Sequence, residues 1–321
     1  MNSKQQPFVS IVTPLYNAED YISECIESVI SQTYRNWEYV IVNNCSTDKS
    51  LEIAQKFAQV NSKIKVHNNS KFLDHLQNWN HAMRQISHES KYCKVVHADD
   101  WLFPECITKM IEVAESNPSV GIVGSYRLDE NRVNLSGLPY GKNVFSGHEI
   151  CRETLLGRLY VFGSPTSILI RSDYIRKCKK FYNESSIHAD KEICFEILKN
   201  SDFGFVNQVL TFTRRHNESV TSIKRELNTK KIGKLRVFIK YGPTFFVKEE
   251  YEKNLKLMIK NYYRFLSRNV LSLKEDDFWH YHRKELAKLG IRISLIEVVK
   301  GLFLELLNIK ASINRLRLAK K

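Results

Sequence analysis

Two adjacent carboxylates, Asp99 and Asp100, follow the apolar run of residues 92–97 (YCKVVH). Carboxylates at the end of a buried strand are placed to bind a hard cation, because Mg²⁺ and Mn²⁺ prefer oxygen ligands and complete their shells with water and substrate phosphates. Such an ion would bridge a diphosphate and neutralise charge on a leaving nucleotide. The structural alternative is that one of the pair caps the helix that follows.

The segments around this pair alternate between buried strands and amphipathic helices. Apolar, β-rich runs predict strands at residues 8–14, 39–43, 63–67, 92–97 and 120–126. Helical spacing predicts helices at residues 18–33, 46–60, 74–87 and 104–116. Ser46 or Thr47 is placed to cap the second helix. This order implies an α/β fold with a mostly parallel sheet flanked by helices. Ligands bind at the carboxyl ends of such strands, here residues 14–17, 43–48 and 98–100.

The net charge of +14 is confined to one part of the chain. Residues 1–223 hold 25 Lys and Arg and 25 Asp and Glu, whereas residues 224–321 hold 24 and 10. This shift predicts two parts with different partners: residues 1–223, and a basic helical C-terminal region of residues 224–321. Nucleic acid or an anionic membrane surface would suit the basic region. The alternative is a solvated basic helical face.

The cysteines and the N-terminus bear on the compartment. The seven cysteines are scattered and include no CxxC pair, which argues against a disulfide framework or a zinc site and for a reducing compartment. No early apolar stretch is long enough for a signal peptide, and no window approaches 18 uncharged apolar residues. We therefore expect a cytoplasmic protein without a membrane span.

Four segments, in the right order, resemble the family 2 glycosyltransferases. VSIVTPLYNAEDYISECIESVISQTYRNWEYVIVNNCSTDKS is similar to the opening strand, Pro-x-Tyr-Asn turn and Ser-Thr-Asp segment of that family. VVHADDWLFPE is similar to its Asp-x-Asp segment, SIHADKEICFEIL to its later acidic base motif, and LTFTRRHNESVTS to its closing Arg-x-His segment. The resemblance covers residues 8–222. It implies the A-type nucleotide-diphospho-sugar transferase fold (GT-A) and a non-processive, inverting transferase.

The resemblance also implies which residues bind a nucleotide diphosphate sugar, with UDP as the expected nucleotide. The donor-binding positions are Pro14, Leu15, Tyr16, Asn44, His97, Ala98, Asp99, Arg214 and His216. The implied ligands of Mn²⁺ or Mg²⁺ are Asp99, Asp100 and His216. His97 stands at the first position of the Asp-x-Asp segment, a departure that leaves Asp99 as the first metal ligand.

Asp190 matches the general base of the family. Inversion needs one displacement, in which a carboxylate removes the proton of the acceptor hydroxyl as that hydroxyl attacks. The preceding position, often acidic in the family, is Ala189 here. Two alternatives remain open: Asp190 caps the helix at residues 191–200, or Glu192 is the working base.

Further positions follow from the same resemblance. Gly163, Ser164 and Thr166 fall in a segment that lines the acceptor side. Arg214 and His216 would stabilise charge on the departing diphosphate. For Trp79 and Trp101, core packing is expected over stacking on a sugar.

The implied acceptor is a glycan or a lipid-linked sugar in surface polysaccharide biosynthesis, and no nucleic acid partner is expected. Apolar residues between 295 and 307, followed by the basic segment 313–321 (INRLRLAKK), suit peripheral contact with an anionic leaflet. The alternative is docking onto the catalytic domain or onto a second protomer, which would make a homo-oligomer.

Two other functions compete with this interpretation. A nucleotidyltransferase would usually show an early Gly-rich phosphate loop, and residues 13–18 contain no glycine. A catalytically decayed nucleotide- or nucleic-acid-binding protein is favoured by His97 and by the Asn43–Asn44 pair. The presence of Asp99, Asp190 and His216 counts against it.

Overall fold

The computed structural model describes residues 6–215, 227–271, 276–303 and 307. The chain divides into two compact units, Met1–Arg215 and His216–Lys321. The boundary expected between residues 223 and 224 falls in the segment 216–226, which lies outside the described residues.

Four parallel strands form one half of the sheet in the N-terminal unit. They are β1 (Val9–Leu15), β2 (Trp37–Asn43), β3 (Ile64–Asn68) and β4 (Tyr92–Val95), in the spatial order β3-β2-β1-β4. β1 and β2 are buried at nearly every position, as expected for parallel strands covered on both faces. The register pairs Leu15 with Asn43, so both strands end at the same edge.

The other half of the sheet is mixed. β9 (Ile168–Arg171) lies antiparallel between β4 and β6 (Val120–Asp129), and β6 pairs in parallel with β10 (Asp202–Thr213). The short strands β5 (Trp101–Leu102), β7 (Arg132–Asn134) and β8 (Val144–Phe145) add antiparallel pairings. The α/β fold with a central sheet flanked by helices is confirmed. Apolar runs do not reveal strand direction, which is why the sequence pattern predicted a more uniformly parallel sheet.

Helices accompany this sheet in the N-terminal unit. They are α1 (Ile22–Ile30), α2 (Ser50–Val60), α3 (His75–Met83), α4 (Cys106–Ser116), α5 (Gly147–Leu155), α6 (Ser172–Arg176) and α7 (Ala189–Leu198). Helix α1 buries Ile22, Cys25, Ile26 and Val29. The apolar spacing of the sequence predicted this stripe.

Helix α2 begins later than the sequence pattern predicted. The side chains of Ser46 and Thr47, the expected caps, hydrogen-bond instead to Asn17 at 3.1 Å each. The helix begins at Ser50, whose N–H donates to Asp48 Oδ1 at 3.0 Å. Residues 46 and 47 therefore join the loop after β2 to the loop after β1.

The C-terminal unit contains the helices α8 (Thr229–Phe245), α9 (Lys248–Leu271) and α10 (Asp276–Lys288), and residues 295–303 are also helical. One apolar cluster includes Ile232, Leu235, Leu266, Phe278, Leu286 and Val298. His282 is buried beside it, with Nδ1 2.5 Å from the Tyr262 hydroxyl and Nε2 2.9 Å from the Leu227 carbonyl. Among the described residues, none of the helices combines the length and apolarity that a membrane span requires.

Candidate functional site

The polar residues at the ends of β1, β2 and β4 meet at one edge of the sheet, because the three strands are parallel. The loops after β1 and β2 are joined directly. The Asn44 N–H donates to the Leu15 carbonyl at 2.8 Å, and the Thr47 N–H donates to Asn17 Oδ1 at 2.8 Å. This edge therefore presents a braced set of loops on which a ligand can be positioned.

His97, Asp99 and Asp100 form a cluster just beyond β4. One ligand atom from each lies within 4.8 Å of the others. Burial lowers the pKa of His97, against the opposing effect of Asp99 and Asp190, which favours the neutral imidazole that ligates metals. The His97 Nε2 is buried and has no hydrogen-bond partner among the described residues. Two carboxylates and a neutral imidazole with an unsatisfied nitrogen fit a divalent cation.

Asp100 is buried and held by several donors. Thr166 Oγ1 donates to its Oδ2 at 2.6 Å, and the Arg214 backbone N–H donates to its Oδ1 at 3.2 Å. Burial and the nearby Asp99 raise the pKa of Asp100 to about 7, because both oppose a second negative charge at this point. A bound cation would relieve that repulsion.

Thr166 supports the cluster from the core. Its side chain is fully buried, and besides Asp100 it contacts His97, whose backbone N–H donates to Oγ1 at 3.1 Å. Its place on the acceptor side stays a prediction. The buried Lys94 Nζ donates in turn to the carbonyl oxygens of Thr166, at 2.6 Å, and Ile168, at 3.2 Å. Thr166 therefore holds the cluster from behind, a role created by the antiparallel docking of β9 against β4.

Gly163 and Ser164 precede this buried threonine. Gly163 has a φ of +68°, and a Cβ built on it would lie 2.4 Å from Ser167 Oγ, so glycine is required there. The Tyr160 hydroxyl donates to the Gly163 carbonyl at 2.9 Å, and Ser164 is half-buried. The place of both residues on the acceptor side stays a prediction.

Asp190 lies in the first turn of α7 and interacts electrostatically with His97. Burial raises the pKa of the Asp190 carboxyl, which makes the carboxylate a stronger base. The alternative base, Glu192, accepts hydrogen bonds from Ser186 Oγ at 2.5 Å and Asn183 Nδ2 at 3.3 Å. Glu192 therefore braces the loop before α7, and the assignment of Asp190 as the base stays a prediction.

An exposed aromatic pair stands beyond the end of β1. Tyr16 is 47% exposed and Phe72 56% exposed, with ring centroids 5.1 Å apart in an edge-to-face arrangement. The buried Asn44 organises the Phe72 loop, since its side chain hydrogen-bonds to both the carbonyl and the N–H of Leu73 and accepts from Asn69 Nδ2 at 3.0 Å. Exposed rings of this kind offer a surface for a planar base. The sequence analysis missed Phe72, because no motif or periodicity marks this loop position.

The other positions around the β1 and β4 ends are less open. The Leu15 side chain is fully buried, and its carbonyl oxygen accepts from the Asn44 N–H; the place of this turn against the donor stays a prediction. Ala98 is also buried and Pro14 is half-buried. Leu15 is buried because the last side chain of β1 points into the apolar core.

The two tryptophans behave differently. The half-buried Trp79 lies against His97, with ring centroids 4.7 Å apart, and against Tyr182 at 5.2 Å. Trp101 stacks on Phe212 at 4.9 Å. Trp79 therefore borders the cluster, whereas Trp101 takes part in aromatic packing.

The two arginines of the closing Arg-x-His segment, Arg214 and Arg215, have different partners. Arg214 Nε donates to the Asp99 carbonyl at 3.4 Å, which places this arginine at the cluster. Arg215 is engaged elsewhere, by Asp129, with one nitrogen 2.6 Å from each carboxylate oxygen. His216, expected to bind the metal and the donor, lies outside the described residues.

A family model described as Glycosyl transferase family 2 matches residues 10–178, more than half of the chain and the segment that holds the cluster and the strand ends. This chain belongs to glycosyl transferase family 2. The resemblance stated from the four motifs is thereby confirmed at the level of the family.

Curated relatives agree with this membership. An uncharacterized glycosyltransferase of Haemophilus influenzae is 28% identical to this family 2 member over 257 residues, which cover 73% of this chain and 77% of the relative. The putative teichuronic acid biosynthesis glycosyltransferase TuaG of Bacillus subtilis is 43% identical over 61 residues, covering 19% of this chain and 24% of TuaG.

Two solved structures share the fold of this family 2 member. S. aureus TarS 1-349 in complex with UDP-GlcNAc aligns with a TM-score of 0.62 at 18% identity, covering 88% of this chain and 80% of TarS. The mannosyltransferase PcManGT from Pyrobaculum calidifontis, in complex with GDP-Man and Mn²⁺, aligns with a TM-score of 0.56 at 13% identity, covering 97% and 81%. At these identities the similarity shows the fold alone.

Proposed function

We propose that this chain is an inverting, metal-dependent glycosyltransferase. It would transfer a sugar from a nucleotide diphosphate sugar, with UDP as the expected nucleotide, to a glycan or lipid-linked acceptor in surface polysaccharide biosynthesis. The observation that carries the proposal is the His97–Asp99–Asp100 cluster, whose ligand atoms lie within 4.8 Å of one another beyond the end of β4 in a chain of family 2. The UDP-GlcNAc bound to TarS supports the donor class, and the name of TuaG supports the pathway class.

Asp190 is proposed as the general base. Its carboxylate would accept the proton of the acceptor hydroxyl while that oxygen attacks the anomeric carbon from the face opposite the diphosphate. One displacement of this kind inverts the anomeric configuration. The burial that raises the pKa of Asp190 suits this task, because a carboxylate of higher pKa binds the proton more strongly.

Asp99, Asp100 and His97 are proposed to hold Mn²⁺ or Mg²⁺. The ion would neutralise charge on the departing nucleoside diphosphate, and the Mn²⁺ in the PcManGT complex supports a divalent metal in this fold. The protein fixes the Asp100 carboxylate in advance through Thr166, at 2.6 Å. Because the Asp100 carboxylate is already oriented, little free energy is needed to reorganise it during the reaction.

The donor nucleotide is proposed to lie against Tyr16 and Phe72, with the base on the exposed rings. Asn44 would act mainly through the loop that it holds. Gly163 and Ser164 are proposed to border the acceptor, near Tyr160.

The test is release of nucleoside diphosphate from a panel of UDP-, dTDP- and GDP-sugars, with Mn²⁺, Mg²⁺ or chelator. We expect metal-dependent release from one donor, lost in Asp99→Ala and strongly reduced in Asp190→Ala when acceptor is supplied. Asp173→Ala is the matched control, because Asp173 is an exposed carboxylate on α6 that lies 3.8 Å from Lys177. Absence of release and of nucleotide binding across the panel would reject the proposal in favour of a decayed binding protein.

A further inference from the structure

The helix of residues 295–303 packs by one face against α9 of the same unit. Ser267 Oγ donates to the Val298 carbonyl at 2.8 Å, and Val298 is buried in the apolar cluster of that unit. A Cβ built on Gly301 would lie 2.2 Å from Ser267 Oγ, so the two helices approach closely at the glycine. The helix is therefore docked, and only its opposite face is open to a further contact.

That opposite face is apolar and exposed. We call it the outer stripe; its residues are Leu295, Ile296, Val299, Phe303 and Leu307. They are 51–77% exposed. Leu295, Val299 and Phe303 recur every fourth residue, which places them on one side of the helix, and Leu307 keeps the same spacing in the sequence. Single exposed apolar residues are ordinary on protein surfaces, whereas a continuous stripe of large ones marks an interaction surface.

The charge around the outer stripe indicates what covers it. Residues 224–321 carry a net charge of +14, and residues 308–321, directly after the stripe, contain five Lys and Arg and no Asp or Glu. Two copies of the chain meeting through this face would bring two such basic regions together, which Coulomb repulsion disfavours. Nucleic acid offers phosphates but no apolar phase for the stripe. An anionic bilayer offers both, because its headgroups are negative and its acyl boundary accepts apolar side chains.

We propose that the outer stripe inserts into the interface of an anionic lipid bilayer, with the basic residues of the C-terminal unit against the headgroups. This contact would hold the chain at the surface where a lipid-linked acceptor resides. Binding to the bilayer does not depend on the proposed reaction and can be measured in the absence of donor and acceptor.

The experiment is co-sedimentation of the full chain with vesicles of mixed phosphatidylglycerol and phosphatidylcholine, and with vesicles of phosphatidylcholine alone. We expect binding to the anionic vesicles that weakens as salt is raised. The double variant Val299→Asn/Phe303→Asn should bind roughly tenfold more weakly, because two apolar side chains no longer enter the bilayer. The matched control is Val60→Asn/Val133→Asn, two exposed valines of the N-terminal unit, and it should bind like the parent.

Thermal denaturation and donor hydrolysis accompany the binding assay. Because the substituted side chains are exposed, both variants should unfold at the temperature of the parent and retain its donor hydrolysis. Three outcomes would overturn the proposal: no binding to anionic vesicles, equal binding by the stripe variant, or a dimer in light scattering that becomes a monomer in Val299→Asn/Phe303→Asn. The last outcome would assign the stripe to a second copy. If the parent protein did not hydrolyse any donor, that result would count against the proposed reaction and not against vesicle binding.

Discussion

Thr166 Oγ1 lies 2.6 Å from Asp100 Oδ2 and 3.1 Å from the backbone nitrogen of His97. One buried hydroxyl thus fixes both a carboxylate of the cluster and the backbone at the end of β4. Behind it, Lys94 Nζ holds the Thr166 carbonyl at 2.6 Å. The cluster therefore rests on a buried polar network between β4 and β9, and the first two predictions test that network.

Removal of the Thr166 hydroxyl should weaken the cluster more than the fold. In Thr166→Val the shape is kept, but Asp100 loses its shortest hydrogen bond, which we expect to cost about 1–3 kcal/mol of unfolding free energy. Donor hydrolysis should fall about tenfold and need more metal for half-maximal rate, since Asp100 is no longer oriented. Metal titrations of the hydrolysis rate measure this. Thr166→Ser, which keeps the hydroxyl, should recover most of the activity; equal loss in both variants would contradict the assignment.

Replacement of Lys94 should destabilise the N-terminal unit. Burial lowers the pKa of Lys94, yet its amine satisfies the Thr166 and Ile168 carbonyl oxygens, and Lys94→Met leaves both without this donor. We expect a loss of about 1–3 kcal/mol in unfolding free energy, measured by denaturant titration. Lys56→Met, at an exposed lysine of α2, should change stability little. An unchanged denaturation midpoint for Lys94→Met would show that the buried amine does not stabilise the N-terminal unit.

Phe72 should contribute to nucleotide affinity and not to stability. Because the ring is 56% exposed and contacts Tyr16, Phe72→Ala should leave the melting temperature almost unchanged. Loss of a stacked base would weaken nucleotide binding by about 1–3 kcal/mol, a guide taken from base–aromatic stacking in other proteins. Calorimetry with UDP measures this, with Tyr140→Ala, an 88% exposed tyrosine, as control. Equal affinity in parent and Phe72→Ala would place the base elsewhere.

Asp190 and Glu192 should separate catalysis from stability. Asp190→Asn keeps the volume but removes the base, so the transfer rate should fall about 10²–10⁴-fold while donor binding persists. Glu192→Gln breaks charged hydrogen bonds to Ser186 and Asn183, so it should lower the unfolding free energy by about 1–3 kcal/mol with a smaller effect on rate. Transfer kinetics and denaturant titration on both variants decide the matter. The reverse pattern would make Glu192 the base.

His282 should make the stability of the C-terminal unit depend on pH. Burial lowers the pKa of His282 from 6.5 to about 4. Between pH 4 and pH 6.5 this imidazole is therefore protonated in the unfolded chain and neutral in the folded chain. The free energy of unfolding should therefore fall as pH drops from 6.5 toward 4, by roughly 2–3 kcal/mol from this group. Denaturant titrations across this range measure the slope.

Two substitutions on α10 test whether His282 causes this pH dependence. His282→Gln should flatten the pH dependence, whatever its effect on stability at neutral pH, because the titrating group is gone. His280→Gln, at an exposed histidine of the same helix, should keep the slope of the parent. A slope that is the same in all three proteins would assign the pH dependence to other groups.

Local sequence patterns predicted much of the secondary structure of this protein and its family. The mostly apolar runs predicted β1, β2 and β4, because a strand buried on both faces is rich in apolar residues. Helical spacing predicted the buried stripe of α1. Short motifs, some at strand ends and one at the start of α7, pointed to Asp99, Asp190 and the family.

Tertiary structure decided what the motifs could not. Thr166 became a buried support for Asp100 because β9 docks antiparallel against β4, and the direction of a strand is not written in its apolar run. Phe72 contacts Tyr16 because the Asn44 side chain accepts a hydrogen bond from Leu73 and so positions the loop that carries Phe72. Glu192 braces the loop before α7 because Ser186 and Asn183 donate hydrogen bonds to it. Each of these roles depends on contacts between segments distant in sequence or on loop geometry, for which neither composition nor periodicity provides a signal.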